Sequence, residues 1–289
     1  MKPMVVIQTD FGNGGGGAMT GVIKSIDPEV EVINYNHNIE PYNISAAGFS
    51  INFILPVWPA GTVFVSVVDP GVGTDRRSCV VRFKNGSYLV SPDNGILTPM
   101  IDKIDSIRRI DETVNRLPGS EHIFIFHGRD VYAYTAGRLA SGQISFEEVG
   151  PEYSLDDIVR FPMTNVPTVI RKGFAQGGIF NFDMAFGTPR IAIRHLQFRQ
   201  IGGFEYGDIV HLKITDGDRT IFDQDVIYER SFGYTNVGAV LICGNSELGE
   251  EQSLRLAINR GDFARTYMPE VVNHSYGAVN YVVTITAID

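Results

Sequence analysis

Only two cysteines, Cys79 and Cys243, occur in 289 residues, far apart and without the spacing of metal ligands. Neither a disulfide framework nor a zinc cluster is expected, and a reducing compartment fits. Basic residues are also short in supply: 24 against 33 acidic ones leave a formal charge of −9. Such a field repels phosphate backbones and mildly favours cationic ligands, so nucleic-acid binding has no electrostatic start. No run of about 18 apolar residues is present, the length a membrane-spanning helix needs. The opening MKPMVVIQTDFG has no charged leader followed by a cleavable apolar core. Together these absences predict a cytoplasmic protein.

What is present is a globular composition, with 44% apolar and 20% charged residues. The length fits one large or two medium domains, and the pattern along the chain favours two. Residues 4–9 form an apolar run closed by Asp10, glycines follow, and residues 18–26 carry apolar positions at helical spacing. Residues 30–35 resume a β-branched run, 44–55 are helical in pattern, and 62–68 form a Val-rich strand ending at Asp69-Pro70-Gly71. Strands are also expected at 79–83, 88–91 and 123–126, with a helix over 131–141. Strands alternating with helices predict a mostly parallel, Rossmann-like sheet covered on both faces.

Near Gly150 the texture changes, because Pro151, Pro162 and Pro167 interrupt a stretch with little helical periodicity. Beyond it, runs at 177–182, 190–196, 209–215, 237–243, 253–258 and 281–288 have the spacing of an all-β unit, a barrel or a sandwich. The expected organisation is an α/β domain over 1–160, a linker over 161–173 and a β-barrel domain over 174–289.

Polar residues of the first domain fall at the carboxyl ends of expected strands, where an open parallel sheet places its ligands: Asp10, Asp69 and His127. Each has a plain structural alternative, as a turn or cap carboxylate or a packed histidine. Asp130 reads more simply as a helix cap than as a catalyst. Gly12-Asn13-Gly14-Gly15-Gly16-Gly17 formally satisfies the dinucleotide fingerprint, but four consecutive glycines satisfy many patterns. Asn34, Tyr35 and Asn36 also stand where an acidic ribose ligand is expected, so a flexible loop open to close ligand approach is the preferred reading.

Four motifs in order carry a resemblance: Thr9-Asp10-Phe11-Gly12, Val67-Val68-Asp69-Pro70-Gly71-Val72-Gly73-Thr74, Ser91-Pro92-Asp93-Asn94-Gly95 and Phe126-His127-Gly128-Arg129-Asp130. In these and their spacing the chain resembles the S-adenosyl-L-methionine hydroxide adenosyltransferases, relatives of the fluorinase and chlorinase. The resemblance implies an N-terminal α/β domain, a C-terminal β-barrel and a homotrimer. Substrate would lie between the first domain of one subunit and the second domain of its neighbour. The family's water-activating trio maps onto Asp69, Arg76 and His127. The halogenases lack that trio, and Gly128 replaces a halide-contacting serine of the fluorinase, so hydroxide is the implied nucleophile. Asp10, beside Phe11, corresponds to the aspartate that grips the ribose hydroxyls, and Tyr42 to an aromatic lining the nucleoside site.

In the second domain the resemblance assigns Asp183 to the methionine amine. Phe186 lies in the matching segment, and Thr188 stands in place of an adenine-reading asparagine. Phe232 is implied to stack on adenine, Asn245 and Ser246 to contact methionine, and Asn259 to lie where backbone groups meet adenine. Glu247 replaces an arginine near the methionine carboxylate, so the methionine end is altered. The expected reaction is hydrolysis of S-adenosyl-L-methionine to adenosine and L-methionine, with no cofactor, metal, nucleic acid or membrane partner. The competing readings are halide-dependent adenosyl transfer, a nucleoside-binding protein without turnover, and a metal-dependent phosphoesterase using Asp10, Asp69, Asp93 and His127.

Overall fold

A computed structural model describes residues 4–183, 185–248, 252–272 and 280–288. The chain divides into two compact units, Met1–Phe161 and Pro162–Asp289.

The first unit contains β1 (Val5–Thr9), α1 (Gly15–Ile26), β2 (Val32–Asn36), α2 (Ile44–Ile54), β3 (Val63–Val67), β4 (Ser78–Phe83), β5 (Tyr88–Pro92), β6 (Ile104–Arg109) and α3 (Tyr134–Ser141). They form one six-stranded sheet in the order β2-β1-β3-β5-β4-β6. The sheet is mixed: β1 runs parallel to β2 and β3, and β3 to β5, whereas β4 is antiparallel to β5 and β6. Val5 and Ile7 pack with Met19 and Ile23 of α1 and Ala136 of α3, while Val6 and Phe64 pack with Ala47 and Ile51 of α2 on the opposite face. Burial on both faces explains why these strands read as continuous apolar runs.

Gln8 is the polar exception, fully buried in β1. Its amide donates to Ala47 O at 2.8 Å and Ser66 Oγ at 2.7 Å, and its oxygen accepts from Ser50 Oγ at 2.7 Å. Every partner sits on α2 or β3, so these bonds fix the register of the elements on which the following residues, Thr9 and Asp10, depend. A buried polar group left unpaired would cost about 1–3 kcal/mol. Asn43 caps α2 by accepting from Ala46 N at 2.9 Å.

The order β2-β1-β3 sends the chain in opposite directions from the carboxyl ends of β1 and β3, the switch point at which open α/β sheets bind ligands. Asp10 directly follows β1, and Asp69 lies two residues after β3.

Two local expectations change. The glycine segment is a loop only as far as Gly14, since Gly15–Gly17 form the first turn of α1. A Cβ at Gly15 would come within 2.1 Å of Phe11 Cβ, and one at Gly16 within 2.2 Å of Asn34 Oδ1 and His37 Nε2. These two glycines allow the start of a helix to lie directly on neighbouring side chains, a packing role instead of flexibility. Residues 123–126 form no strand either, and Phe124 and Ile125 are 59% and 82% exposed. The strand next to β4 is β6, and the 123–126 segment lies instead against the turn at Gly73.

The second unit contains β7 (Val169–Arg171), β8 (Phe174–Asp183), β9 (Thr188–Arg194), α4 (His195–Gln200), β10 (Ile209–Asp216), β11 (Arg219–Tyr228), β12 (Val240–Gly244), β13 (Ser253–Ile258), α5 (Phe263–Tyr267), α6 (Pro269–Val272) and β14 (Tyr281–Ala287). The strands run β14-β10-β11-β12-β13-β9-β8, and a further β14–β8 pairing closes them into a barrel with β7 appended to β8. Its core includes Ile191, Ile193, Leu212, Leu254, Leu256 and Ile285. Strand β11 escapes sequence reading because Asp223 and Asp225 interrupt its apolar pattern. Across the ladder these carboxylates meet Lys213 at 3.0 Å and His211 at 2.8 Å, which suits an outward charged face. No helix among the described residues is long and apolar enough to cross a membrane.

Candidate active site

A tight turn after β3 brings Arg76 back onto Asp69. Val72 N donates to Asp69 O and Thr74 N to Gly71 O, and Gly73 takes a left-handed φ of 80°. Gly73 also lies against the 123–126 segment, where a Cβ would come within 2.7 Å of Phe124 O. Arg76 then grips Asp69 with two bonds, Nε to Oδ1 at 2.9 Å and Nη2 to Oδ2 at 2.6 Å. Both side chains are nearly buried, at 10% and 4% exposed. Such fork geometry holds the guanidinium in one plane.

His127 arrives by a different element from the expected strand. It sits at the start of a turn of π-helix, Gly128–Ala133, that runs into α3. Its Nδ1 lies 2.7 Å from Arg76 Nη2. A guanidinium can only donate, so Nδ1 accepts and the imidazole is the neutral Nε2–H tautomer. Burial lowers the His127 pKa; Glu112 opposes this, while Arg76 and Arg116 add to it. Tyr132, fully buried, donates from its hydroxyl to Asp69 Oδ2 at 3.0 Å. Burial, reinforced by the Asp69 charge, raises that phenol well above its ordinary range and keeps it a neutral donor.

Asp69 and His127 are therefore both bonded to Arg76, which joins the three side chains into one cluster. Four neighbours escaped sequence reading: Ser78, Glu112, Arg116 and Tyr132. Ser78 and Tyr132 lie inside a strand and a helical turn, where burial is their ordinary fate. Glu112 and Arg116 are four apart, but in non-helical chain after β6. Asp130 does not cap a helix. It is fully buried and paired with Arg129 at 2.6 Å.

At the end of β1, Asp10 Oδ2 accepts from Tyr42 N at 2.9 Å. Tyr42 is held at a φ of 68° and is 63% exposed. Phe11 stands edge-on to Phe126 with ring centroids 5.8 Å apart. Gly128 packs beneath the Phe11 ring, where a Cβ would come within 3.0 Å of Cε2. A side chain at Gly128 would thus displace Phe11.

The second unit groups its own candidates around β9, β12 and β13. Arg255 Nη2 donates to Asp183 Oδ2 at 3.3 Å and to Thr188 Oγ1 at 3.2 Å. Arg190 Nη1 donates to Glu247 Oε1 at 3.1 Å, and Asn245 Nδ2 donates to the same oxygen at 2.5 Å. Arg190 and Arg255 face each other in the β9–β13 register. Among the described residues, Arg190 Nε, Arg255 Nε, Asn245 Oδ1, Glu247 Oε2 and Ser253 Oγ are buried without a protein partner. Such atoms are rare in native interiors and gather where water or a ligand completes a site. Phe232 packs against Leu241, Cys243 and Ala257. Asn259 spends its amide on Phe232 O at 3.1 Å and Thr235 O at 3.0 Å, fixing that turn. Phe186 and Ser246 are exposed. Neither Arg190 nor Arg255 was signalled by the sequence, since each reads as an ordinary polar residue of a strand.

The model of the SAM hydroxide adenosyltransferase N-terminal domain matches residues 5–150. A protein of Methanocaldococcus jannaschii named (R)-S-adenosyl-L-methionine hydrolase is 38% identical over 144 residues, 47% of this chain and 52% of that protein. The chain thus spans about half the length of that relative. A protein of the same name from Thermus thermophilus is 31% identical over 271 residues, 90% of this chain and 93% of its own length. A fluorinase from an Actinoplanes species is 28% identical over 225 residues, 70% of this chain and 75% of that enzyme. Among solved structures, an uncharacterized conserved protein of Thermotoga maritima superposes with a TM-score of 0.79 at 27% identity, covering 97% of this chain and 99% of the other.

Proposed function

The chain belongs to the SAM hydroxide adenosyltransferase family, and on that premise we propose that it hydrolyses S-adenosyl-L-methionine to adenosine and L-methionine. The observation that carries this reading is the buried contact among Asp69, Arg76 and His127. Water's oxygen bonds to the ribose C5′ as the C5′–S bond breaks, with the bonding pair going to sulfur. Methionine leaves as a neutral thioether, so no acid is needed and no cofactor is called on. The protein's task is to hold the water and stabilise its hydroxide character, which suits a guanidinium fixed in position before reaction.

The hydrogen-bond inventory favours Asp69 as proton acceptor. His127 Nδ1 is occupied by Arg76, and Asp69 Oδ2 by Arg76 and Tyr132. Asp69 Oδ1 accepts only from Arg76 Nε among the described contacts, which leaves a second lone-pair direction for water. Incubation with S-adenosyl-L-methionine, with and without chloride, tests the function. Equimolar adenosine and methionine independent of chloride is the expected outcome, and a 5′-chloro nucleoside would reassign the chain to halide transfer.

Asp10 is read as the ribose ligand, because one carboxylate offers two acceptors to a cis-diol. Asp10→Ala is expected to weaken adenosine binding by about 10-fold or more, the cost of losing a charged hydrogen bond. Asp10→Asn, which can still accept from Tyr42 N, separates that loss from a disturbed loop. Calorimetry giving an unchanged Kd for both variants would remove Asp10 from the site.

In the second unit, Asp183 suits the methionine ammonium. We read Arg190 and Arg255 as the carboxylate ligands, which would compensate for Glu247. The supporting observation is their unpartnered buried Nε atoms beside equally unpartnered acceptors. Decarboxylated S-adenosylmethionine is therefore expected to show a KM at least about tenfold higher at similar kcat. Equal kinetics for the two sulfonium compounds would discard this assignment. A cytoplasmic homotrimer accords with the family resemblance and the two free buried cysteines. The Rossmann-like description of the first unit draws support from the parallel β2-β1-β3 order and its switch point.

A further inference from the structure

His127 belongs to a closed ring of hydrogen-bonding groups larger than the trio. Arg76 Nη1 donates to Ser78 Oγ at 2.9 Å, and Ser78 Oγ donates to Glu112 Oε1 at 2.8 Å. Glu112 Oε2 accepts from Arg116 Nη2 at 2.5 Å, and that nitrogen lies 3.3 Å from His127 Nε2. The ring closes through His127 Nδ1 and Arg76 Nη2 at 2.7 Å. Arg116 is anchored from behind by Nη1 donating to Ile123 O at 3.2 Å.

Two guanidiniums thus flank one imidazole, and both can only donate. The shorter contact identifies Nδ1 as the acceptor, so the 3.3 Å approach of Arg116 to Nε2 sets donor against donor. Glu112 resolves the conflict. It draws Arg116's N–H onto Oε2 and places that carboxylate oxygen 3.9 Å from Nε2, where it attracts the Nε2–H. The local charge also balances, with Asp69 and Glu112 against Arg76 and Arg116.

Resting on the hydrolase reading, we propose that Glu112, with Arg116, is a positioning residue that fixes the His127 tautomer and thereby the aim of Arg76 at the water. Without Glu112, Arg116 can donate to Nε2 and stabilise the Nδ1–H form. That form points a proton at Arg76 Nη2, breaks the 2.7 Å contact and leaves the guanidinium held by Asp69 and Ser78 without its imidazole partner. Five charged or titratable groups face the imidazole: Asp69 after β3, Arg76 before β4, Glu112 and Arg116 after β6, and Tyr132 of the π-turn, its ring 6.4 Å away. Glu112 raises the His127 pKa, so its loss lowers it. Activity that needs neutral His127 then persists to lower pH.

The test is Glu112→Gln, close in shape but uncharged, studied by a kcat–pH profile and by nitrogen-15 NMR of the His127 ring. The expected result is a fall in kcat of about tenfold or more with little change in KM. Its acidic limb should move to lower pH, and the ring should change from the Nε2–H to the Nδ1–H tautomer. A lower kcat with an unmoved limb and an unchanged tautomer would mean a merely structural ion pair and overturns the proposal. An Nδ1–H tautomer in the unaltered protein overturns it without any variant. Should Glu112→Gln fail to fold, Arg116→Met removes the competing donor instead. The proposal requires the Nε2–H tautomer to persist there, and its loss would count against it. If the unaltered protein releases no adenosine, the hydrolase reading falls while the tautomer still decides the role of Glu112.

Discussion

Replacing Arg76 with alanine is expected to lower kcat for adenosine release by about 10²–10³-fold, the loss typical of removing a preorganised donor to a developing oxyanion. KM should change by no more than about threefold, because hydroxide character develops only on the way to the transition state. Arg76 reaches Asp69 Oδ1, Asp69 Oδ2, Ser78 Oγ and His127 Nδ1 through its three nitrogens. Lysine can supply the charge but not that planar fork, so Arg76→Lys should recover little of the activity. Truncation also leaves Asp69 buried without its cation, a loss of about 3–5 kcal/mol of stability. Kinetics must therefore be run well below the lowered Tm. A variant with normal kcat and a raised KM would show that Arg76 binds substrate and does not activate water.

The second large effect separates Asp69 from His127. Asp69→Asn should reduce kcat by about 10²–10⁴-fold, the range for loss of a positioned proton acceptor. His127→Asn keeps an oxygen able to accept from Arg76 Nη2 and should cost at least about tenfold less than Asp69→Asn. The reverse order would make His127 the base. The pH profile supplies a second check on the same pair. Burial lowers the His127 pKa, so the neutral imidazole persists below the ordinary histidine range. The activity should survive on the acid side of about pH 6.5 and fall only as His127 protonates. The sign is the same for stability. An unfolded chain binds its histidine proton at higher pH than the folded one, so the His127 contribution is fully present above the unfolded pKa and weakens as pH drops below it.

Much of the α/β unit could be read from residue order. Continuous apolar runs gave β1 and β3 within a residue of their ends because those strands are buried on both faces. Helical spacing over 44–55 gave α2 to within a residue of its observed end. The all-β texture of the second unit came from regular strand spacing, whereas closure did not. The pairing of β14 with β8 joins residues about 100 positions apart, and local periodicity is the same for a sandwich and a barrel. Strand β11 was hidden because its two aspartates find their partners, His211 and Lys213, on the strand beside it.

The site divides in the same way. Strand-end placement marked Asp10, Asp69 and His127 in the sequence and the family resemblance added Arg76, because the motifs that carry that resemblance are contiguous along the chain. Three-dimensional packing alone could show that Arg76 is the hub, that its donors fix the His127 tautomer, and that Glu112 and Arg116 complete a ring around it. It also turned the glycine run from a flexible loop into a packed helix start, and brought Arg190 opposite Arg255. The physical reason is that hydrogen bonds and buried charges depend on distance and direction between atoms, and residues remote in sequence acquire both only when the chain has folded.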